Sequence, residues 1–389
     1  MSQTEVQLIK NGAVVDADIN GMSSSKLSGA LPAISGAALT GIESAGKARN
    51  LVINGAMQVA QRGTSSTSNG YATVDRMSEG EGGLDETCTQ SQITLGSSDV
   101  GPYAKGFRQA YRIQNGNQTS GAGATDFIRF EYRIEAQDIA NSGWDYTNSN
   151  SKISLQFWIR SSVSQNFYFI VNSIDGTARS YPMETGSLSA GTWTKITKTI
   201  PGDSSLQFDN DVNEGFTVFF YIYLGTNYAN NSVSLNAWKN VGNPQTPTNT
   251  TTWFTTNDAT WDITGFQIEV GDSATDFEHR SFAQELQLCR RYYEDLNPKL
   301  YVLARYSHHN GSPYGQYHFN VQKRVAPTCT FDTTGGTFES SSGYSGNPSF
   351  TDTTLDATTI YGANSVTAGG ILYLHTSVGG LLKFDSEIA

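Results

Sequence analysis

The chain is short of several things, and each shortage removes a class of function. Among 389 residues there are three cysteines, Cys88, Cys289 and Cys329. They are far apart, odd in number and without a CxxC spacing, so neither a disulfide framework nor a cysteine zinc site is expected. Charged residues make up only 16% and the formal net charge is −11. No basic run occurs, which argues against electrostatic binding to nucleic acid or to an anionic membrane. No apolar run approaches the length that crosses a bilayer. The opening MSQTEVQLIK lacks the apolar stretch of a secretory signal, so synthesis and folding in a reducing cytosol are expected. A GxSxG elbow, a P-loop and an HExxH helix are all missing, and the expectation is a protein that is not an enzyme. Asp126, Glu131, Glu135 and Asp138 are close enough in sequence to suggest a hydrolytic carboxylate pair, but their place along an amphipathic strand and its exit makes them a solvent-facing edge.

What is present is a β vocabulary. Gly, Ser, Thr and Asn are abundant, and 19 Tyr and 19 Phe accompany them. Such a composition suits antiparallel strands joined by many turns. The length predicts two or three modules. Residues 1–48 stand apart. They lack aromatic residues, and glycines recur at 12, 21, 29, 36 and 41 between isolated apolar residues that include Leu27, Leu31, Ile34 and Leu39. A segment this poor in apolar surface cannot form a core by itself. It is either a disordered tail or a narrow stalk in which identical chains complete one another's core.

Residues 49–280 carry short alternating strands: FIRFEYRIEA, KISLQFWIRS, NFYFIVNSI, TWTKITKTI, FTVFFYIYL and WDITGFQIEV. In the second, Ile153, Leu155, Phe157 and Ile159 share one face, and Ser154, Gln156, Trp158 and Arg160 share the other. FTVFFYIYL is apolar on both faces, so a loop or a neighbouring chain should cover its second side. An all-β sandwich of jelly-roll type follows, with at most a short helix near Ala136.

One helix of ordinary length is expected, over 281–296. Ser281 can cap it and Gln284 completes a capping box. Leu286, Cys289, Tyr292 and Tyr293 then form an apolar stripe. Beyond it, residues 297–389 return to strands and suggest a small C-terminal β-domain. Sugar recognition needs flat rings beside directed hydrogen-bonding groups. The loops supply such candidates in Trp144, Tyr146, Tyr228 and Trp238, and the C-terminal region in Tyr306, Tyr314 and Tyr344.

Three motifs resemble a known architecture. NLVINGAMQVAQRGTS at 50–65, with YATVDRMS at 71–78, resembles the opening of a module common in bacteriophage tail fibres. ITGFQIEVGDSATDFEHRSFAQELQLCRRYYE at 263–294 resembles its close, and VQKRVAPTCTF at 321–331 resembles the start of the domain that often follows. Met77 departs from the pattern, which often has Trp there. The resemblance implies an intertwined homotrimeric fibre containing a jelly roll similar to carbohydrate-binding modules. It implies an N-terminus joined to tail adaptor or nozzle proteins, a distal part on host surface glycan, and a place in the virion tail after synthesis in the host cytoplasm. Three copies would meet through Leu27, Leu31, Ile34 and Leu39 in the stalk and through Leu286, Cys289, Tyr292 and Tyr293 along the helix; the alternative for the helical stripe is docking on its own sandwich. No cofactor is expected beyond a structural calcium, for which Asn54 and Asp262 are the candidate ligands. A tail or baseplate component without receptor binding, a glycan depolymerase and a secreted bacterial adhesin are the competing readings.

Overall fold

A computed structural model describes residues 50–296, 302–303, 314–332, 338–340, 345–362, 373–376 and 381–388. The chain divides into two compact units, Met1–Lys47 and Ala48–Ala389. Leu27, Leu31, Ile34 and Leu39 lie outside the described residues, as do Tyr306 and Tyr344.

The second unit is all-β with short helices. Its strands run β1 Ser65–Ser66, β2 Ser78–Gly82, β3 Thr89–Thr94, β4 Gln109–Gln114, β5 Phe127–Glu135 and β6 Lys152–Ser161. They continue as β7 Asn166–Ser173, β8 Arg179–Ser187, β9 Thr194–Pro201, β10 Glu214–Leu224, β11 Lys239–Asn240 and β12 Thr260–Val270. Two six-stranded antiparallel sheets result, in the orders β1-β3-β4-β12-β6-β9 and β11-β8-β7-β10-β5-β2. All six strands expected from alternation are present within a few residues of their expected ends.

The sheets pack face to face through large side chains. Ile153, Leu155, Phe157 and Ile159 are completely buried, as the alternation required. Phe157 meets Phe220 of the opposite sheet edge-on at 4.8 Å, and Phe130 meets Trp261 at 5.8 Å. Full burial of each such side chain contributes about 1.5–3 kcal/mol. Met77, which stands where the resembled pattern often has Trp, is fully buried in this core. The second apolar face of β10 is covered by its own chain. Tyr221 and Leu224 pack with Ile170 and Ala229, and Tyr221 Oη donates to Gln245 of the same long loop.

The opening and closing motifs interlock. Asn50 N–H donates to Glu278 at 2.7 Å, and Asn50 Oδ1 accepts from Val52 and Ile268 N–H groups at 2.9 and 3.1 Å. Arg280 donates to the carbonyls of Asn50 and Val52 and pairs with Glu285 at 3.3 Å. Asn54 N–H donates to Glu285 at 2.6 Å.

The expected helix is shorter than 281–296. It spans Phe282–Arg290 (α2, after the one-turn α1 Ala136–Ala140), with Ser281 as N-cap and a complete capping box to Gln284. The chain then turns at Arg291 and enters β13, Tyr293–Leu296. Strand pairing to a C-terminal segment ends the helix early: Tyr293–Leu296 pair with Leu382–Asp385. Cys289, Tyr292 and Tyr293 of the apolar stripe are buried by their own chain, at 0%, 1% and 3% exposure. The reason lies in the sandwich, which presents two arginines to the rings. Arg76 sits 3.5 Å over Tyr292 and Arg62 sits 3.6 Å over Tyr293. Leu286 is half-buried, while Phe282 and Leu288 stay exposed.

Small sheets follow. β14 Val302–Leu303, β15 Tyr314–His318, β16 Thr328–Asp332, β17 Phe338–Ser340, β18 Ser345–Gly346, β19 Pro348–Thr351, β20 Ala357–Gly362, β21 Tyr373–Thr376 and β22 Leu381–Asp385 form sheets β13-β22-β16, β14-β21-β17-β18 and β15-β20-β19. Buried polar groups fasten this region to the sandwich. Arg291 makes a two-pronged bond to Glu135, both contacts at 2.8 Å, and Tyr292 Oη donates to the same carboxylate at 2.6 Å. Arg324, from the QKR of the third motif, donates to the carbonyls of Val212, Ser386 and Glu387. Glu131 and Glu135, expected at a solvent-facing edge, are instead buried in ion pairs.

Burial opposes the charge on Glu135, yet the bonds from Arg291 and Tyr292 hold its carboxyl below the ordinary value of 4.5. A depressed folded value means that this stabilisation is complete above about pH 4.5 and is lost as the pH falls through the lower folded value. Glu135→Ala should leave Arg291 without its partner and destabilise by about 3–5 kcal/mol. Urea unfolding at pH 7 measures the loss, which should shrink in acid.

Candidate functional site

A groove of about 300 Å³ opens on the outer face of the first sheet. Its floor comes from β6 through Gln156 and Trp158, with Lys195 of β9 and Gly265 of β12 beside them. Its walls are the turn Ala104–Lys105 with Phe107, and the segment Asp276, Phe277 and His279. Five separate stretches of chain therefore converge.

Local geometry explains the convergence. β12 carries a register shift between Thr264 and Gln267, and Gly265 sits there at φ 63°. That left-handed backbone favours glycine. A Cβ at 265 would also stand 2.7 Å from the Phe107 ring. The bare backbone lets Phe107 lie against the sheet, where Phe277 meets it edge-on at 4.8 Å and His279 at 5.0 Å. A hydrogen bond between His279 Nε2 and the Lys105 carbonyl, 2.8 Å, joins the two walls. Trp158 is half-buried and packs over Gly101, where a side chain would reach within 2.6 Å of the ring.

Gln156 is the polar centre. Its side chain is 1% exposed, and Nε2 donates to the Thr275 carbonyl at 2.7 Å. A carbonyl can only accept, so this bond fixes the amide's orientation. Oε1 is then buried without a hydrogen-bond partner. A buried orphan acceptor costs about 1–3 kcal/mol.

None of the aromatic candidates from the loops lines this groove. Trp144 is 3% exposed and packs on Tyr146 and Phe208. Tyr146 stands edge-on to Phe208 at 4.9 Å. Tyr228 packs against Phe127, and Trp238 lies on Tyr181 with its Nε1 donating to the Pro201 carbonyl at 2.8 Å. Tyr314 pairs through its backbone with Tyr361, and its side chain lies outside the described residues. Trp158, which was not among those candidates, lines the groove instead. Its signal was an indole on the polar face of a strand, between Gln156 and Arg160.

Both calcium candidates, Asn54 and Asp262, are engaged by protein groups. Asp262 is fully buried and its two oxygens are taken by guanidinium groups, Arg112 at 2.7 and 3.0 Å and Arg160 at 2.9 and 2.7 Å. Two cations already neutralise it, and a third would be repelled. Asn54 holds the left-handed turn at φ 61°. Its Oδ1 accepts from Val59 N–H, and its Nδ2 donates to the carbonyls of Val59 and Asp75. The described residues that could hold a metal are others: Glu79, Glu81 and Cys88, with ligand atoms within 4.8 Å of one another.

Neither a family model nor a curated protein sequence matches the chain. Solved structures do show similarity at low identity, to carbohydrate-binding and viral tailspike all-β modules. One is the enzymatically active domain of tailspike protein 4 of bacteriophage CBA120, at 9% identity and TM-score 0.30, covering 57% of this chain and 21% of that one. Another is a sugar-binding protein of Bacteroides thetaiotaomicron, described as putative, at 9% identity and TM-score 0.32, covering 57% of this chain and all of that one. A third is the family 11 carbohydrate-binding module of Clostridium thermocellum, at 11% identity and TM-score 0.25, covering 56% and 98%.

Gly265→Ala tests how the groove is built. A side chain at positive φ, pressed onto Phe107, should cost about 2 kcal/mol, read as a lower midpoint in urea unfolding, and the Phe107–Phe277 wall should shift in a crystal structure of the variant.

Proposed function

We propose that this chain is a non-enzymatic, glycan-binding attachment protein of a phage tail fibre, and that the Trp158 groove is where it holds sugar. The observation that carries the reading is a groove walled by Trp158, Phe107 and Phe277, with Gln156, Lys105, Lys195 and Asp276 among its lining. A sugar ring presents hydroxyls along its edge and C–H groups on its face. The first suit Gln156, Lys105, Lys195 and Asp276; the second suit an indole. Binding rather than hydrolysis fits the lining, in which Asp276 is the single carboxyl, because glycoside cleavage generally uses two.

The assignment to a tail fibre leans on the opening and closing motifs. They resemble the two ends of one module, and in this fold they are hydrogen-bonded to each other through Asn50, Glu278 and Arg280. A jelly roll suits the way successive strands β4 to β7 and β8 to β10 alternate between the two sheets. The fibre is a homotrimer, attached to the tail by residues 1–48. Phe282 and Leu288, 55% and 37% exposed, are the apolar residues of α2 available to a partner copy. Threefold repetition raises avidity by about 10²–10⁴ over one shallow groove.

Trp158→Ala in the full-length protein should lower binding to its target saccharide at least ~10-fold, the worth of one stacked ring, with little change in melting temperature. A panel of bacterial surface polysaccharides on an array, followed by calorimetry, measures it. Unchanged binding would move the site elsewhere, and no binding by the native protein to any saccharide would favour a purely structural tail component.

Light scattering of the purified protein should give the mass of three chains. A stable single copy at micromolar concentration would end the fibre reading.

A further inference from the structure

Glu79 and Glu81 are two apart on β2 and so project to one face of that strand. β2 is the edge of the second sheet, and Cys88 stands just before β3 of the first. The turn between them brings one ligand atom from each residue to within 4.8 Å of the others. None of the three lines the Trp158 groove.

Two of the three residues are buried and the third, Glu81, is half-buried. Glu79 is 3% exposed and Cys88 2%. Glu79 Oε1 has no hydrogen-bond partner. Among the described residues neither Glu79 nor Glu81 makes an ion pair. The neighbouring Glu131 takes both nearby guanidinium groups, of Arg129 and Arg133. A buried carboxyl oxygen without a partner, with a second carboxyl and a thiol at ligand distance, is an arrangement that a metal ion resolves.

We propose that Glu79, Glu81 and Cys88 bind a thiophilic divalent cation of the zinc class, which clips the edge of the second sheet to the first. Donor chemistry selects the ion. Calcium takes six to eight oxygens. Two carboxylates offer four at most, and Glu81 Oε2 is engaged by the Cys88 N–H at 2.8 Å. Zinc is satisfied by four ligands and favours a thiolate. A water or a carbonyl completes the set, and the half-buried Glu81 leaves a path for the ion. Zinc binding displaces one proton from the thiol and any proton held by the two carboxyls.

The test uses the full-length protein, stripped with a chelator, dialysed, and titrated separately with zinc and calcium chlorides. The expected result is one zinc per chain by elemental analysis and a melting temperature raised by zinc but not by calcium. Cobalt(II) in its place should give a thiolate-to-metal absorption band. Cys88→Ser should remove that band and weaken zinc on the order of 100-fold, while the same change at Cys329 should do neither. Glu79→Gln should weaken zinc and keep the cobalt band. A native protein that binds no stoichiometric zinc, that prefers calcium, or whose cobalt band survives Cys88→Ser would overturn the proposal; the first two outcomes do not depend on any variant folding.

Discussion

The whole fold rests on a closure between residues more than two hundred positions apart. Arg280 donates to the carbonyls of Asn50 and Val52, and the Asn50 side chain accepts from the Ile268 N–H near the end of β12. The extended segment at Asn50–Val52 lies outside the strand ladders and would otherwise expose unpaired backbone groups. The side-chain amide of Asn50 and the fork of Arg280 satisfy them instead. Glu285 reaches back from α2 to the Asn54 N–H, so the helix is anchored to the same knot. Everything downstream inherits its direction from this point.

The same device is used again further on. Arginines, not apolar surface alone, join the C-terminal sheets to the sandwich: Arg62 and Arg76 from one side, Arg291 and Arg324 from the other. Each is planar, and each stacks on a ring or forks onto a carboxylate or carbonyls. Such contacts demand orientation as well as proximity. The sandwich and the small sheets are therefore held in one register, although the hydrophobic cluster around Phe384 and Ile360 is small.

Much of the sandwich was legible because a period of two survives wherever one face is buried. KISLQFWIRS shows it without exception on the inner face. The outer face was harder to read. Ser154 and Gln156 look solvent-facing by pattern, yet the segment after β12 folds over them, with Ser154 donating to the Gly271 carbonyl and Gln156 to that of Thr275. Nothing local to β6 announces that cover. The groove was illegible for the same reason, since its lining comes from five stretches that meet only after the bulge at Gly265 lets Phe107 approach. The stripe Cys289, Tyr292 and Tyr293 was readable as apolar, and docking on the chain's own sandwich was one of its two open readings. What decided between them was Arg62 and Arg76, more than two hundred residues away. In the aromatic loops, rings that suit sugar also suit packing, and Trp144 and Trp238 have neighbours of their own in Phe208 and Tyr181.

The position of β22 carries a consequence for biosynthesis. It lies between β13 and β16 and hydrogen-bonds to both. Among the described residues, the strand that leaves α2 thus has no neighbour until residues 381–385 have emerged from the ribosome. Contacts of such long sequence separation form slowly. During translation the sandwich waits beside a bare edge, and a strand made roughly ninety residues later is the one that seals it.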